Sequence, residues 1–257
     1  MKVKVSIITA CYNSVRTIAD SLTSVVGQTY PDIEHIVVDG GSVDGTLDVV
    51  DAHRKRVAKV VYGPDRGIYD ALNKGIAAST GDVVAFLHSD DVYAGPCVIE
   101  EVVGKMRAEA LEALYGDVAF IRGDNLERVV RVYSSRWFRP SRIAWGWMPA
   151  HPTLFVSRRL FQEYGPFKID YAIAGDFEFV ARIFAKPTFR YAYLPKVLVK
   201  MRMGGLSTRG LRSTLAINKE ILRACRENGI PSNYLKILSR FPAKVLELLF
   251  PAAQMRL

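Results

Sequence analysis

Long apolar runs are absent from this 257-residue chain. No window approaches the roughly 18 uninterrupted apolar residues of a transmembrane helix, so none is expected. Cysteine is scarce. Cys11, Cys97 and Cys225 are widely spaced, odd in number and unaccompanied by CxxC or clustered histidine. That argues against a disulfide framework or a zinc site and suits a reducing cytosol. The opening MKVKVSIITACYN runs straight into a strand pattern. Its apolar stretch is too short for a signal-peptide core and lacks a small-residue cleavage site. Internal repeats and low-complexity linkers are also missing. Acids are nearly absent from the last fifth of the chain: residues 200–257 hold 11 Lys+Arg against 3 Glu, whereas residues 1–199 hold 24 against 23. The basicity is therefore an appendage that expects an anionic partner.

The composition that remains, 49% hydrophobic, supports a full core. Strands are expected at Lys4–Ala10, Ile33–Val38, Lys59–Tyr62 and Val83–Leu87, alternating with helices at about Asn13–Gln28, Asp44–His53 and Gly67–Ser79. Such alternation implies a doubly wound, mostly parallel sheet, whose ligands bind at the carboxyl ends of the strands. Farther on, the pattern predicts a helix at Gly95–Leu111, a hairpin from Leu114–Ile121 and Glu127–Tyr133, and an irregular stretch bearing Trp137, Trp145 and Trp147. A strand at Thr153–Val156, helices near Arg158–Tyr164 and Gly175–Ala185, and a strand at Lys196–Met201 follow. Two basic helices close the chain, about Leu211–Asn228 and Pro231–Phe250.

Three acidic loops fall at the expected ligand edge. The strand GDVVAFLHSDD ends in Asp90-Asp91, two like charges that suit a shared cation. Mg²⁺ or Mn²⁺ is typically held by one or two carboxylates, with substrate phosphates and water completing the octahedron. Asp39-Gly40-Gly41-Ser42 follows a neighbouring strand, where Asp39 could accept hydrogen bonds from a base and Asp44 could cap the next helix. This loop is not GxGxxG. In DRGIYDALNKG, Gly67, Asp70, Asn73 and Lys74 share a helix face behind the Asp65-Arg66 loop. In AGDFEF, Asp176 and Glu178 lie about 200° apart around a helix, so a shared role is not expected.

In order, SIITACYN, VVDGGSVDGT, DRGIYDALNKGIAASTGDVVAFLHSDD, and HPTLF followed by AGDFEF closely resemble a family-2 glycosyltransferase of the kind that builds bacterial cell-surface polysaccharide. The resemblance covers roughly residues 3–207. It implies a GT-A-like α/β fold: a doubly wound, mostly parallel sheet flanked by helices, here with a C-terminal helical appendage. The implied division is a catalytic domain over 1–207 and a basic helical segment over 208–257. It implies that Thr9, Tyr12 and Asn13 line the nucleotide pocket, that Asp39 binds the base, and that Asp65, Asp70 and Asn73 border the nucleotide sugar. Asp91, with Asp90, would hold Mg²⁺ or Mn²⁺ and the donor diphosphate. Asp176 would be the catalytic base, with Glu178 the alternative. Gly175 departs from the Glu or Ala that relatives show there. His151-Pro152 recurs in the family, and Met203-Gly204-Gly205-Leu206-Ser207 resembles its donor-closing segment.

The expected activity is metal-dependent, inverting transfer from a nucleoside-diphosphate sugar to a saccharide or lipid-linked acceptor. The alternatives are a nucleotidyltransferase and a non-catalytic nucleotide-sugar-binding protein. TACYNSVRT after the first strand lacks the glycine-rich basic loop a triphosphate requires, and the retention of both Asp39 and Asp176 favours catalysis. Leucines interleaved with Lys236, Arg240 and Lys244 suit an amphipathic helix on an anionic membrane, so a cytoplasmic protein peripheral to the inner membrane face is expected. The same apolar face would also suit a homo-oligomer. Nucleic acid is not expected, because aromatics do not alternate with the basic residues.

Overall fold

The structure, a computed structural model, describes residues 2–123, 125–204 and 210–240. Among the described residues nine strands form one sheet. In chain order they are β1 (Val5–Cys11), β2 (Ile33–Asp39), β3 (Lys59–Tyr62), β4 (Val83–Phe86), β5 (Val92–Tyr93), β6 (Ala113–Ile121), β7 (Val129–Tyr133), β8 (Phe155–Ser157) and β9 (Tyr191–Arg202). The order across the sheet is β3-β2-β1-β4-β8-β6-β9-β5, with β7 also paired to β6. The first four strands are mutually parallel, β8 is antiparallel to β4 and β6, and β9 runs parallel to β6. This is the expected mostly parallel GT-A-like sheet flanked by helices.

The helices are α1 (Ile18–Val26), α2 (Thr46–Ala52), α3 (Ile68–Ala78), α4 (Val98–Ala108), α5 (Arg158–Tyr164), α6 (Gly175–Phe184), α7 (Gly210–Glu227) and α8 (Tyr234–Leu238). Helix α1 starts later than the sequence suggests. Asn13 has a left-handed φ of 48°, and its side chain accepts from the Val43 amide, so the chain turns before it coils. Asp44 does serve the start of α2, accepting the Thr46 amide at 3.0 Å. Strand β5 is too short to have been read, and β9 extends well beyond the expected Lys196–Met201.

Strands β1, β2 and β4 are covered on both faces, which is why they read as continuous β-branched runs, whereas β3 at the sheet edge is only half-buried. Helices α7 and α8 do not stand apart. Ile221, Leu222, Ala224, Cys225 and Ile237 share one apolar core with Tyr69, Phe177 and Phe184. The expected tail helix is described only to Arg240; its remainder, 241–250, lies outside the described residues, as do 251–257 and 205–207 of the glycine-rich segment.

Candidate active site

The carboxyl ends of β2, β3 and β4 carry the acidic loops to one edge, beside the Tyr12-Asn13 loop that follows β1. Asp39 is wholly buried. Its carboxylate accepts the Gly41 and Ser42 amides at 3.0 and 2.8 Å and the Ser42 hydroxyl at 2.6 Å. It thus shapes its own loop. Asp65 lies directly over that loop: a Cβ at Gly40 would meet its Oδ2 at 2.6 Å and the Tyr12 ring at 3.5 Å. Asp65 also pairs with Lys74. Asp70 pairs with Arg66 at 2.9 Å, which with the neighbouring backbone holds its carboxyl below the usual range. Tyr12 presents an exposed ring at this rim, and Asn13 spends its side chain on Val43. Tyr12, Asn13, Asp39, Asp65 and Asp70 are therefore brought together.

Two expected residues spend their polar groups on internal contacts. Thr9 is buried, its hydroxyl 3.0 Å from the His35 ring. Asn73 turns both ends of its amide to the Phe167 backbone, donating at 2.8 Å and accepting at 2.9 Å. It fastens α3 to the segment before α6.

The HSDD loop is braced from both sides. Ser21 donates to the His88 carbonyl at 3.1 Å, and Arg202, at the end of β9, donates to the Asp90 carbonyl at 2.8 Å. Asp90 is half-buried, whereas Asp91 is wholly buried. Neither oxygen of the Asp91 carboxylate has a hydrogen-bond partner among the described residues. Burial first, then the Asp90 charge, pushes its carboxyl well above the usual range, outweighing the opposing backbone and charge of Arg202. A buried carboxylate without partners is costly unless a cation or proton answers it. Two adjacent hard oxygen donors fit Mg²⁺ or Mn²⁺. Among the described residues no cluster of three or more ligating side chains surrounds them, which fits a cation that takes its other ligands from diphosphate and water.

Asp176 sits at the first turn of α6. Burial raises its carboxyl to about 6, against the opposing bonds from the Phe177 amide at 2.8 Å and the Tyr69 hydroxyl at 3.3 Å. That value suits a general base at neutral pH. Tyr69 opens α3, so it lies at the same sheet edge, and its single hydroxyl hydrogen is shared between the Ile173 carbonyl at 2.5 Å and Asp176 at 3.3 Å. Its ring explains Gly175: a Cβ there would come within 2.7–2.9 Å of three Tyr69 ring atoms. Glu178 is buried on the far side of the helix. It is engaged by Arg182 at 3.0 Å, Lys168 at 3.1 Å and Asn228 at 3.4 Å. Those partners make it a structural ion-pair centre, not an alternative base.

Sequence reasoning missed two residues that hold Asp176 in place. Tyr69 lies within DRGIYDALNKG, yet nothing in that motif marks its ring as a neighbour of Asp176. Glu220 of α7 accepts three consecutive amides, from Ala172, Ile173 and Ala174, at 2.8, 3.0 and 2.7 Å. Nothing in the sequence links it to that loop. His151 packs its ring on Phe86 at 5.4 Å, and burial lowers it to about 3, so it is a neutral imidazole in an aromatic cluster.

Residues 6–165 match the glycosyl transferase family 2 model. The chain belongs to that family. It is 29% identical over 225 residues to a PGL/p-HBAD biosynthesis glycosyltransferase of Mycobacterium tuberculosis, covering 85% of this chain and 82% of the relative. It is 35% identical over 185 residues to an uncharacterized glycosyltransferase of the same species, covering 69% and 68%. The fold resembles S. aureus TarS 1–349 solved with UDP-GlcNAc, at TM-score 0.71 and 20% identity, over 98% of this chain and 74% of that one. Against the longer TarS chain the coverage is 44% of that chain. It also resembles the mannosyltransferase PcManGT from Pyrobaculum calidifontis, solved with GDP-Man and Mn²⁺, at TM-score 0.64 and 20% identity, over 99% and 74%. This family-2 glycosyltransferase is an enzyme, and family membership sets the nucleotidyltransferase and the non-catalytic binding protein aside. Among the described residues no helix is long and apolar enough to cross a membrane.

Proposed function

We propose that this glycosyltransferase moves a sugar, with inversion, from a nucleoside-diphosphate sugar to a hydroxyl of a saccharide or lipid-linked acceptor in bacterial surface polysaccharide synthesis. The observation that carries the reading is Asp176: a carboxylate held by Tyr69 at the ligand edge and raised to about 6. The acceptor hydroxyl attacks the anomeric carbon as its proton passes to Asp176, and the bond from that carbon to the diphosphate oxygen breaks. The transition state is oxocarbenium-like, as in other glycosyl transfers. One base and in-line attack invert the centre.

The exposed Tyr12 ring and the Asp39–Asp65 rim would receive the nucleoside. Asp90 and Asp91 would hold Mg²⁺ or Mn²⁺, which when bound neutralises charge growing on the departing diphosphate. A metal-bearing relative of the same fold supports that choice. A lipid-linked acceptor agrees with a cytoplasmic enzyme resting on the inner membrane face through its basic C-terminal region.

The test is calorimetric titration with UDP, GDP and dTDP, each with Mn²⁺ and with EDTA, followed by turnover of the matching donor. Metal-dependent binding that survives Asp176→Asn while transfer disappears is expected. Transfer by Asp176→Asn at the parent rate would refute the assignment.

A further inference from the structure

The irregular aromatic stretch takes no part in the site described above. From Arg128 to Gln162 the chain has seven arginines and no Asp or Glu. A second acid-free stretch lies between Glu227 and Glu247. The fold brings the two together. A 3₁₀ turn at Pro140–Trp145 lies against α8. Ser232 donates to the Ala144 carbonyl at 2.6 Å, and buried Arg240 donates to the Gly146 carbonyl at 2.8 Å and to Asn218 at 2.7 Å.

This joint turns cations and aromatic rings outward. A 3₁₀ helix repeats every third residue, so Arg142 and Trp145 share one edge, with Arg139 just before it. All three are exposed. Among the described residues neither Arg139 nor Arg142 has a carboxylate partner, unlike Arg202 and Arg223, which pair with Asp20 and Asp170. The Lys236 ammonium lies 5.8 Å from the Trp145 ring centroid. Trp137 is 58% exposed, Trp145 43% and Leu235 82%. Trp137 and Arg142 also line a cavity of about 220 Å³ with Tyr133, Phe138, Trp147 and Met148.

We propose that this strip docks on an anionic lipid headgroup layer, with the arginines and Lys236 at the phosphates and the two tryptophans and Leu235 in the interface. This deepens the reading of an enzyme on a membrane face and rests on it. Tryptophan beside cationic side chains is the composition favoured at the headgroup level. The charge is complementary to an acidic bilayer. A second copy would present the same unpaired arginines to itself, so self-association through this face is disfavoured. Leu235, almost fully exposed, suits lipid and has no use on a phosphate backbone of nucleic acid.

The experiment is co-sedimentation of the full chain with vesicles of phosphatidylcholine alone and with added phosphatidylglycerol, at low and high salt. Binding only to the acidic vesicles is expected. Each basic residue near such a surface contributes on the order of a fivefold change in affinity. Arg139→Gln with Arg142→Gln should therefore weaken binding about twentyfold, and Trp145→Ala with Leu235→Ala should weaken it at both salt concentrations. Nucleotide titration and turnover on a soluble acceptor, run on the same variants, separate this surface from the active site. Retained nucleotide binding with lost vesicle binding supports the proposal and leaves the transferase reading untouched. Parent-like vesicle binding by both double variants, equal binding to neutral vesicles, or equal binding of a single-stranded oligonucleotide lost in the same variants would overturn it.

Discussion

At the amino ends of the strands, Glu34 is buried and saturated with partners: the Ser6 hydroxyl at 2.6 Å, the Thr80 amide at 2.7 Å, the Thr80 hydroxyl at 2.9 Å and Lys4 at 3.3 Å. At the carboxyl ends Asp91 is equally buried, yet its carboxylate has no hydrogen-bond partner among the described residues, and Asp176 has few. Burial pushes all three carboxyls upward. At Glu34 the bonds outweigh burial and bring it to about 2, whereas Asp176 rises to about 6. One end of the sheet uses buried acid to hold strands together. The other satisfies Asp39 within its own loop but leaves Asp91 and Asp176 short of partners, to be completed by ligand, cation or proton.

The largest contrast is expected from Asp176→Asn. A positioned base contributes roughly 10²–10⁴-fold, so transfer should fall by about a thousandfold while donor binding persists. The parent's kcat/KM should rise with pH through about 6 as Asp176 loses its proton, and that limb should vanish in the variant. The stability consequence has the opposite sign to Glu34. The folded state holds the Asp176 proton more tightly than the unfolded value of 3.8, so stability falls as pH rises through about 6. Asp176→Asn should therefore raise Tm at neutral pH.

Glu34→Ala should show the reverse: activity per folded molecule retained, stability lost. Leaving its donors unpaired in the interior should cost about 3 kcal/mol, read as a lower urea midpoint. Its folded value lies below the unfolded 4.5, so its contribution is complete above about pH 4.5 and lost as pH falls toward 2. A variant that lost activity and kept stability would erase the distinction between the two ends.

Much of this arrangement was legible because β-branched runs mark doubly covered strands and acids punctuate their ends. Thr9 shows the limit. In a strand buried on both faces the alternation of side chains carries no polar signal, so which face Thr9 takes was unreadable; it faces His35. Asn73 looked like a ligand group because its partner, Phe167, lies 94 residues away. The charge surplus of residues 200–257 overstated the free basic surface, since Arg202, Arg223 and Arg240 are consumed by internal contacts. Gly175, a departure by motif, is explained by the ring of Tyr69, which only the fold places there.

Gly175→Ala tests that ring contact. The added methyl must displace Tyr69, which should cost roughly 1–3 kcal/mol and lower kcat as Asp176 shifts with its helix. Donor affinity should be unchanged.

The finest test is a pair of substitutions on either side of Asp176. Glu220 adds to the upward push on its carboxyl, and the Tyr69 hydroxyl opposes it. Glu220→Gln keeps the shape of the side chain, removes the charge and weakens the grip on three amides. Its kcat should drop about fivefold, with the acid limb displaced to lower pH. Tyr69→Phe removes the hydroxyl that bonds Ile173 and Asp176, so its limb should move to higher pH. A general loosening of the fold would move both limbs the same way. Opposite displacements, with donor affinity constant in both, are what two neighbours acting on one carboxylate must give, and they would show that the carboxyl end of the sheet is tuned by α3 from one side and by the basic C-terminal helix α7 from the other.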